Sequence, residues 1–454
     1  LSVQGQLADT LFYRLPLAWW GADRDGRVVG YYIRWSEPWE PPAGAPRWAA
    51  DTSWIYTEAT SDTFAAPLRQ TDPGALQAVW TDTFSVRAVD DLGLVDPAGR
   101  SQIFTVNNWV PTLEWERTMQ RPSSSLPAVA FAWKPADLDG RRSILHFRYW
   151  LDGEDSLRTP TTTDTVIGLF REDFGECYGP RTLSVQAVDE ALCRSNIIRH
   201  RWNVEEPHGS WLLIDHVASN MSDANLADPY WRALMDSLAG GDYYVYDVQQ
   251  KGAFRSALEV FPLFSLFRGV VWYSGNPHSA NDALMRVNLR RAHRGIARYL
   301  EAGHPVLIAA REAATPAGGL TASFLQDTLG IRDYFTLASG ADLGLMARDS
   351  IFCGFGEPRD SVVVTDFLIL DPDFLQLEGD VTPLYWVRPG RLTRFGLIEP
   401  DQSNEPAYLG VLSTRAGGRL AMVSFLPVRT NFLGNGRRSG AALLRLTLGE
   451  PPPR

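Results

Sequence analysis

Two hydrophobic patterns divide this chain of 454 residues. Up to about residue 206, apolar and polar positions alternate in short runs broken by Gly, Pro, Asn and Asp. That is the pattern of half-buried β-strands joined by turns. Beyond it stand three continuous apolar runs: Trp211-Leu212-Leu213-Ile214-Asp215, Gly269-Val270-Val271-Trp272-Tyr273 and Pro305-Val306-Leu307-Ile308-Ala309-Ala310. Each ends in a polar or small residue where a strand would meet a loop. Ala280 to Ala302, between the second run and the third, is long and amphipathic enough for a helix. Continuous apolar strands alternating with helices predict a parallel sheet covered on both faces.

The first part repeats itself. Trp19-Trp20-Gly21-Ala22-Asp23-Arg24-Asp25-Gly26 is echoed by Trp133-Lys134-Pro135-Ala136-Asp137-Leu138-Asp139-Gly140. A strand follows each, Val28 to Trp35 and Ile144 to Trp150. Phe84-Ser85-Val86-Arg87-Ala88-Val89-Asp90 then matches Leu183-Ser184-Val185-Gln186-Ala187-Val188-Asp189, and further strands follow at Ile103 to Val106 and Arg201 to Val204. Two copies of about a hundred residues predict two all-β sandwiches in tandem, over 1–108 and 109–206.

Glu205-Glu206-Pro207-His208-Gly209 reads as a compact linker, short enough to hold what it joins in a fairly fixed relation. An α/β domain with a mostly parallel, doubly wound sheet is expected over 207–454. Its elements are strands at Trp211 to Asp215, Tyr243 to Asp247, Gly269 to Tyr273 and Val306 to Ala310, with helices at Asp228 to Leu238, Ala280 to Ala302 and Gly319 to Leu329. A β-rich insertion around 331–400 contains short runs such as Ser361 to Leu370 and Leu384 to Val387. Strands at Tyr408 to Ser413 and Arg419 to Phe425 and a helix at Gly440 to Leu448 close the chain.

The Trp on the second strand, the Tyr-rich third strand and the Ser-Val-Arg-Ala-Val-Asp sixth strand make both repeats resemble fibronectin type III or related immunoglobulin-like modules. The later region resembles the class I glutamine-amidotransferase-like, flavodoxin-like fold. That second resemblance rests on the order Leu-Leu-Ile-Asp, Val-Val-Trp-Tyr, Gly-His-Pro-Val-Leu-Ile-Ala and Gly-Gly-Arg-Leu-Ala-Met-Val-Ser-Phe. In that family the strand equivalent to Val306 to Ala310 runs into a sharp turn bearing a nucleophilic cysteine. Here the turn reads Arg311-Glu312-Ala313, so the resemblance implies a catalytically silent domain.

Composition narrows the function classes. The formal charge of -10 argues against nucleic acid as a general partner, because phosphate binding needs a basic face. No apolar run approaches the ~20 residues needed to cross a bilayer. The first residue is Leu1, consistent with a removed signal or anchor segment. Lysine occurs only at Lys134 and Lys251, so nearly all positive charge is Arg. Three cysteines, Cys177, Cys193 and Cys353, are too few and too odd in number for a disulfide framework. Cys353 reads as a buried small hydrophobe.

Strong motifs for chemistry are absent. There is no Gly-x-x-x-x-Gly-Lys-Ser/Thr, no Gly-x-Gly-x-x-Gly after the first strand, no His-Glu-x-x-His and no Cys-x-x-Cys. What remains is the carboxyl edge of the sheet, where ligands bind in open α/β folds. Asp215, His216 and His278 could form an acid/base or metal group, or Asp215 could cap its loop with both His as ordinary polar residues. Asn220, Asp247, Ser274, Asn276, Arg311 and Glu312 are the candidate ligand-binding residues, although Ser274 sits in a turn-like Tyr-Ser-Gly-Asn-Pro. Arg286, Arg290, Arg291, Arg294 and Arg298 form a basic helical stripe, read as a solvated face or as an acidic partner's landing site.

Asp23, Asp25, Asp137 and Asp139 could supply calcium ligands. Otherwise each Asp-x-Asp-Gly is a turn, its carboxylates on local amides and its Gly at positive φ. Calcium needs six to eight oxygens, and the carboxylates of Asp90-Asp91 and Asp189-Glu190 are expected to lie away from these loops.

The sequence thus predicts an exported protein, secreted, periplasmic or on the cell surface, that binds a protein or glycan of the envelope. No cofactor, nucleic acid or transmembrane segment is expected. The alternatives are an exported hydrolase working through the carboxyl-edge cluster and a calcium-dependent adhesion module.

Overall fold

The computed structural model describes residues 2–5, 14–36, 53–65, 76–138, 143–153, 159–217, 224–274, 283–310, 313–314, 319–335, 344–346, 350–353, 361–363, 368–370, 374–387, 407–424 and 435–449. They form two compact units, one of residues 1–118, 132–166 and 181–201, the other of 119–131, 167–180 and 202–454. The protein is rich in strands, with several sheets, two of them mixed among the described residues.

The first unit opens with a β-sandwich. One sheet contains β1 (Ser2–Gly5), β2 (Arg14–Trp20) and β5 (Ser61–Ala65); the other contains β3 (Val28–Trp35), β4 (Ile55–Thr57), β6 (Gln77–Asp90) and β7 (Arg100–Trp109). Alternation decides what lies inside: Leu15, Leu17, Trp19 and Phe64 from one sheet share a core with Ile33, Trp35, Phe84 and Val106 from the other. Trp19, the first tryptophan of the repeat, packs its ring 5.6 Å from Phe84, and its Nε1 donates to the Ala59 carbonyl at 2.9 Å. The indole therefore buries a large apolar surface without orphaning its N–H.

Eight further strands carry the second copy: β8 (Thr112–Trp115), β9 (Ser124–Ser125), β10 (Val129–Ala136), β11 (Ile144–Leu151), β12 (Thr161–Thr162), β13 (Val166–Leu169), β14 (Gly179–Asp189) and β15 (Ile198–Val204). A single helical turn, α1 (Arg171–Phe174), lies between β13 and β14. Within the first unit Trp133 pairs with Trp115 and Phe147 with Ala187, and the Trp133 and Phe147 rings meet edge to face at 5.5 Å. Within the second unit Asn203 and Val204 pair with Ser124 and Ser125, and Trp202 packs 4.9 Å from Phe131.

The second unit is built on a mixed sheet. Its parallel part has β17 (Tyr243–Asp247), β16 (Trp211–His216), β18 (Gly269–Ser274), β19 (Val306–Ala310) and β28 (Leu420–Val423) side by side in that order. β27 (Ala407–Ser413) and β26 (Thr382–Val387) continue it antiparallel. The short strands β20 (Ile331–Phe335), β22 (Ser350–Cys353), β23 (Ser361–Val363) and β25 (Phe374–Leu377) extend this edge, while β21 (Gly344–Met346) and β24 (Leu368–Leu370) form a separate pair. Within the β-rich run from Ser361 to Leu370, β23 and β24 lie in different sheets.

Helices α4 (Ala257–Phe264) and α5 (Ala283–Glu301) share a core with Ile214, Trp272 and Ile308, so they cover the face those residues present. Helices α2 (Ala224–Ala239) and α6 (Asn435–Leu448) share a core with the alternate residues Leu213, Tyr273 and Leu307. A short turn, α3 (Val248–Lys251), follows β17. Close approaches depend on glycine. A Cβ on Gly295 of α5 would lie 2.7 Å from Val260 of α4, and one on Gly440 of α6 would fall on the Tyr230 hydroxyl of α2.

Two helix expectations are corrected. α2 begins four residues before Asp228, because its buried face of Ala227, Tyr230, Trp231 and Leu234 reaches further back than the Asp-Pro signal suggests. Phe324–Thr328, within the helix expected at Gly319 to Leu329, is a π-helical turn.

Candidate functional site

Parallel pairing brings the carboxyl ends of β16, β17, β18 and β19 to one edge of the sheet. There Asp215 lies beside Tyr273, and His216 beside Ser274. Because strand side chains alternate, Asp215 and Tyr273 project to the α2 and α6 face, and His216 to the α4 and α5 face. Asp215 and His216, adjacent in sequence, therefore do not work as one cluster.

On the α2 face a carboxyl pair forms. The Tyr273 hydroxyl donates to Asp228 Oδ1 at 3.1 Å, and Trp231 stacks on the Tyr273 ring with centroids 5.7 Å apart. The Asp228 and Asp215 carboxyls lie near enough to act on each other electrostatically. Asp215 is 6% exposed and accepts from the Val217 N–H at 3.3 Å. Burial, then the neighbouring Asp228 charge, pushes its carboxyl up to about 6. Burial also raises Asp228, against the opposing pull of Tyr273 and Arg232. Tyr273 is driven far above the ordinary phenol range, first by burial and then by the two carboxylates, so its hydroxyl keeps its proton and donates it only as a hydrogen bond. Two neighbouring carboxyls raised by burial are suited to the chemistry of a general acid and base.

The remaining candidates take separate places. Asp247 caps α3, accepting from the Gln249 and Gln250 N–H groups at 2.8 and 3.3 Å. Ser274 is wholly buried, and its hydroxyl donates to the His216 carbonyl at 3.4 Å rather than to an imidazole. His216 is 3% exposed, its ring centroid lies 6.1 Å from that of Trp272, and neither ring nitrogen has a hydrogen-bond partner. Burial alone pushes it down to about 3, so the imidazole is neutral at physiological pH. His278, Asn220, Asn276, Arg311, Glu312 and Asp139 lie outside the described residues.

Asp228 and Tyr273 escaped the sequence reading as site residues. Asp228-Pro229 reads as a helix start, and Tyr273 as one more residue of an apolar strand. The available signal was register: Tyr273 is the fifth residue of its strand, as Asp215 is of its own.

The basic stripe divides too. Arg290, Arg294 and Arg298 are exposed, with Arg298 over the Phe261 ring at 4.6 Å, whereas Arg291 turns inward to the Phe254 carbonyl. In the first Asp-x-Asp-Gly loop, the expected distance from the sixth strand is corrected: the Asp91 N–H donates to the Arg27 carbonyl at 3.0 Å. Gly26 is not at positive φ. It is needed because a Cβ there would lie 2.6 Å from the Asp91 carboxylate and 2.9 Å from that of Asp23. In the second loop Asp137 accepts from the Ser143 hydroxyl at 2.6 Å. Among the described residues, no three His, Cys, Asp or Glu side chains gather as a metal site would require.

No family model matches the chain, and no curated protein matches it. Among solved structures, it is similar to fibronectin(III)-like modules of Clostridium thermocellum CbhA, with 14% identity and a TM-score of 0.21 over 45% of this chain and 94% of that one. It is similar to a β-galactosidase from the Antarctic haloarchaeon Halorubrum lacusprofundi, with 11% identity, a TM-score of 0.32 and coverage of 54% and 31%. For the exo-β-1,4-mannosidase Op5Man5 from Opitutaceae bacterium strain TAV5 the values are 12%, 0.31, 54% and 37%. The chain thus spans about a third of the length of either glycosidase. The β-sandwich character stated above rests on the chain's own strand pairings.

Proposed function

We propose that this is an exported or cell-envelope binding and scaffold protein. In this reading two fibronectin type III-like modules, 1–108 and 109–206, carry a doubly wound, amidotransferase-like domain, 207–454, whose partner is an envelope protein or glycan. The observation that carries it is the state of the carboxyl edge. β19 is buried and apolar to its last residue, Ala310, and the next residues are Arg311 and Glu312, with no Cys, Ser or Thr at the elbow. Ser274, at the end of the neighbouring β18, is bonded to a backbone carbonyl, as is Ser424, just past β28. Helices over both faces of the parallel strands favour the doubly wound description.

The purified chain, incubated with L-glutamine and with nitrophenyl esters, should release ammonia and nitrophenolate no faster than buffer does. Turnover that disappears in Ser274→Ala, with the circular dichroism unchanged, would overturn the reading.

The Asp215–Asp228 pair, both carboxyls raised by burial, favours one rival, a hydrolase using acid/base chemistry. It requires a glycoside or ester substrate whose hydrolysis has a pH limb near 6, lost in both Asp215→Asn and Asp228→Asn.

A further inference from the structure

The α4 and α5 face of the sheet carries a group of buried polar atoms that the carboxyl pair does not use. Both nitrogens of His216, Nε1 of Trp272 and Nδ2 of Asn288 have no hydrogen-bond partner. Trp272 and Asn288 are wholly buried, and His216 nearly so. They are linked in space. The His216 and Trp272 rings lie 6.1 Å apart, the Trp272 and Phe254 rings meet edge to face at 5.6 Å, and the Phe254 N–H donates to Asn288 Oδ1 at 2.8 Å. Unpartnered indole nitrogens also occur at Trp35, Trp133 and Trp231. What sets this group apart is its place, on one face at the carboxyl end of parallel strands, where open α/β folds bind ligands.

The donors and acceptors do not balance. Trp272 offers one N–H, the Asn288 amide two and neutral His216 one, against a single acceptor nitrogen on His216. Buried polar groups are ordinarily satisfied, and a set dominated by donors calls for a guest dominated by acceptors. Of the two Arg side chains beside Phe254, Arg255 is paired with Glu259 at 3.7 Å, and Arg291 of α5 donates to the Phe254 carbonyl. The acidic pair Asp215 and Asp228 faces the other way. Asn288 and Arg291, one turn apart on α5, hold both backbone groups of Phe254 and so fix the aromatic wall.

We propose that His216, Trp272 and Asn288 form a binding site for a small carboxylate. Two carboxylate oxygens supply up to four acceptor positions and no donor, which suits the excess of N–H groups, and Trp272 and Phe254 suit a short apolar tail. The proposal rests on the reading of this domain as a binding module and gives that reading a ligand class.

The test uses the full chain, with sodium acetate and sodium benzoate as probes and sodium chloride at equal ionic strength as the control. Binding is followed by calorimetry and by the imidazole 15N shifts of the seven histidines. One histidine, assigned to His216 by its loss in His216→Phe, should shift saturably with a carboxylate and not with chloride. Trp272→Phe, which keeps an aromatic ring but removes the N–H with the rest of the five-membered ring, should weaken binding about tenfold. If neither carboxylate binds, or if Trp272→Phe binds as tightly as the parent chain, the site is refuted. Where a variant fails to fold, the 15N measurement on the parent chain decides the matter, with the imidazole assigned through its connectivity to the His216 backbone. Silence of these probes leaves the binding reading standing; turnover in the ester and glutamine assays would remove that reading whatever the probes do.

Discussion

At the scale of single residues, the Asp189 carboxyl is held away from its ordinary behaviour at a repeat position visible in the sequence. Asp189 ends the sixth strand of the second repeat. It is wholly buried, accepting from Asn108 Nδ2 at 2.6 Å and from the Cys193 N–H at 2.7 Å. Burial pushes it up to about 7, with the Asp137 charge adding to the rise. Because the folded value lies above the unfolded one, the native state holds a proton that the unfolded chain has released between about pH 4 and 7. The stability linked to Asp189 is therefore complete below pH 4 and declines as the pH rises through 7. Chemical denaturation of the parent chain and of Asp189→Asn should differ in slope with pH. The parent loses stability between pH 5 and 8, and the variant, lower by about 1–3 kcal/mol at pH 5 for its disturbed hydrogen bonds, stays flatter. Equal slopes would contradict the assignment. Its first-repeat counterpart, Asp90, bonds the N–H groups of Leu92 and Leu94 at the surface, a contrast that the matching sequences do not reveal.

Among elements, α4 shows how a charge is made tolerable in an apolar core. Glu259, 1% exposed, accepts from the Ala130 N–H at 3.0 Å and from the Arg255 N–H, and pairs with the Arg255 guanidinium. Burial raises its carboxyl against those opposing contacts. Arg255 in turn donates to the carbonyls of Gln120 and Lys251 at 3.1 and 3.0 Å. Glu259→Ala leaves the guanidinium without its charge partner and should cost about 3–5 kcal/mol. Glu259→Gln, which keeps one acceptor, should cost less; equal losses in urea melts would mean that packing, not charge, matters here. None of this is legible locally. Arg255 and Glu259 have an ordinary i, i+4 spacing, and only the partners at residues 120 and 130 make the pair a structural tie.

For the whole molecule, the compact units do not follow the chain linearly. Leu126 and Ala128, inside the second sequence repeat, belong to the core formed by Leu212, Trp272 and Ile308. Nearby, Glu205 accepts from the Tyr244 hydroxyl at 2.7 Å and pairs with Lys251, one of the two lysines in the protein. The second unit therefore takes residues 119–131 as part of its own interior. Leu126→Ala should lower its stability by about 2–5 kcal/mol. Hydrogen exchange should quicken in β16 and β18, with β3 and β6 of the first unit unchanged. Acceleration confined to the first unit would contradict this partition.

Period and run length sufficed for the local elements. β3, β17 and β19 lie where alternation or continuous apolarity placed them, because a strand's burial pattern is written in its own residues. The same reasoning located the carboxyl edge and named Asp215, His216 and Ser274. It could not say which of them would meet. Alternation sends Asp215 and His216 to opposite faces, so their partners come from elsewhere: Asp228 from a helix that starts earlier than its Asp-Pro signal, Tyr273 from the neighbouring strand. Likewise the approach of Asp91 to the Asp23 loop, the tie from Glu259 to Ala130 and the glycine contacts between helices all join residues distant in sequence. Such pairings are set by how sheets and helices pack, and only the tertiary structure decides them.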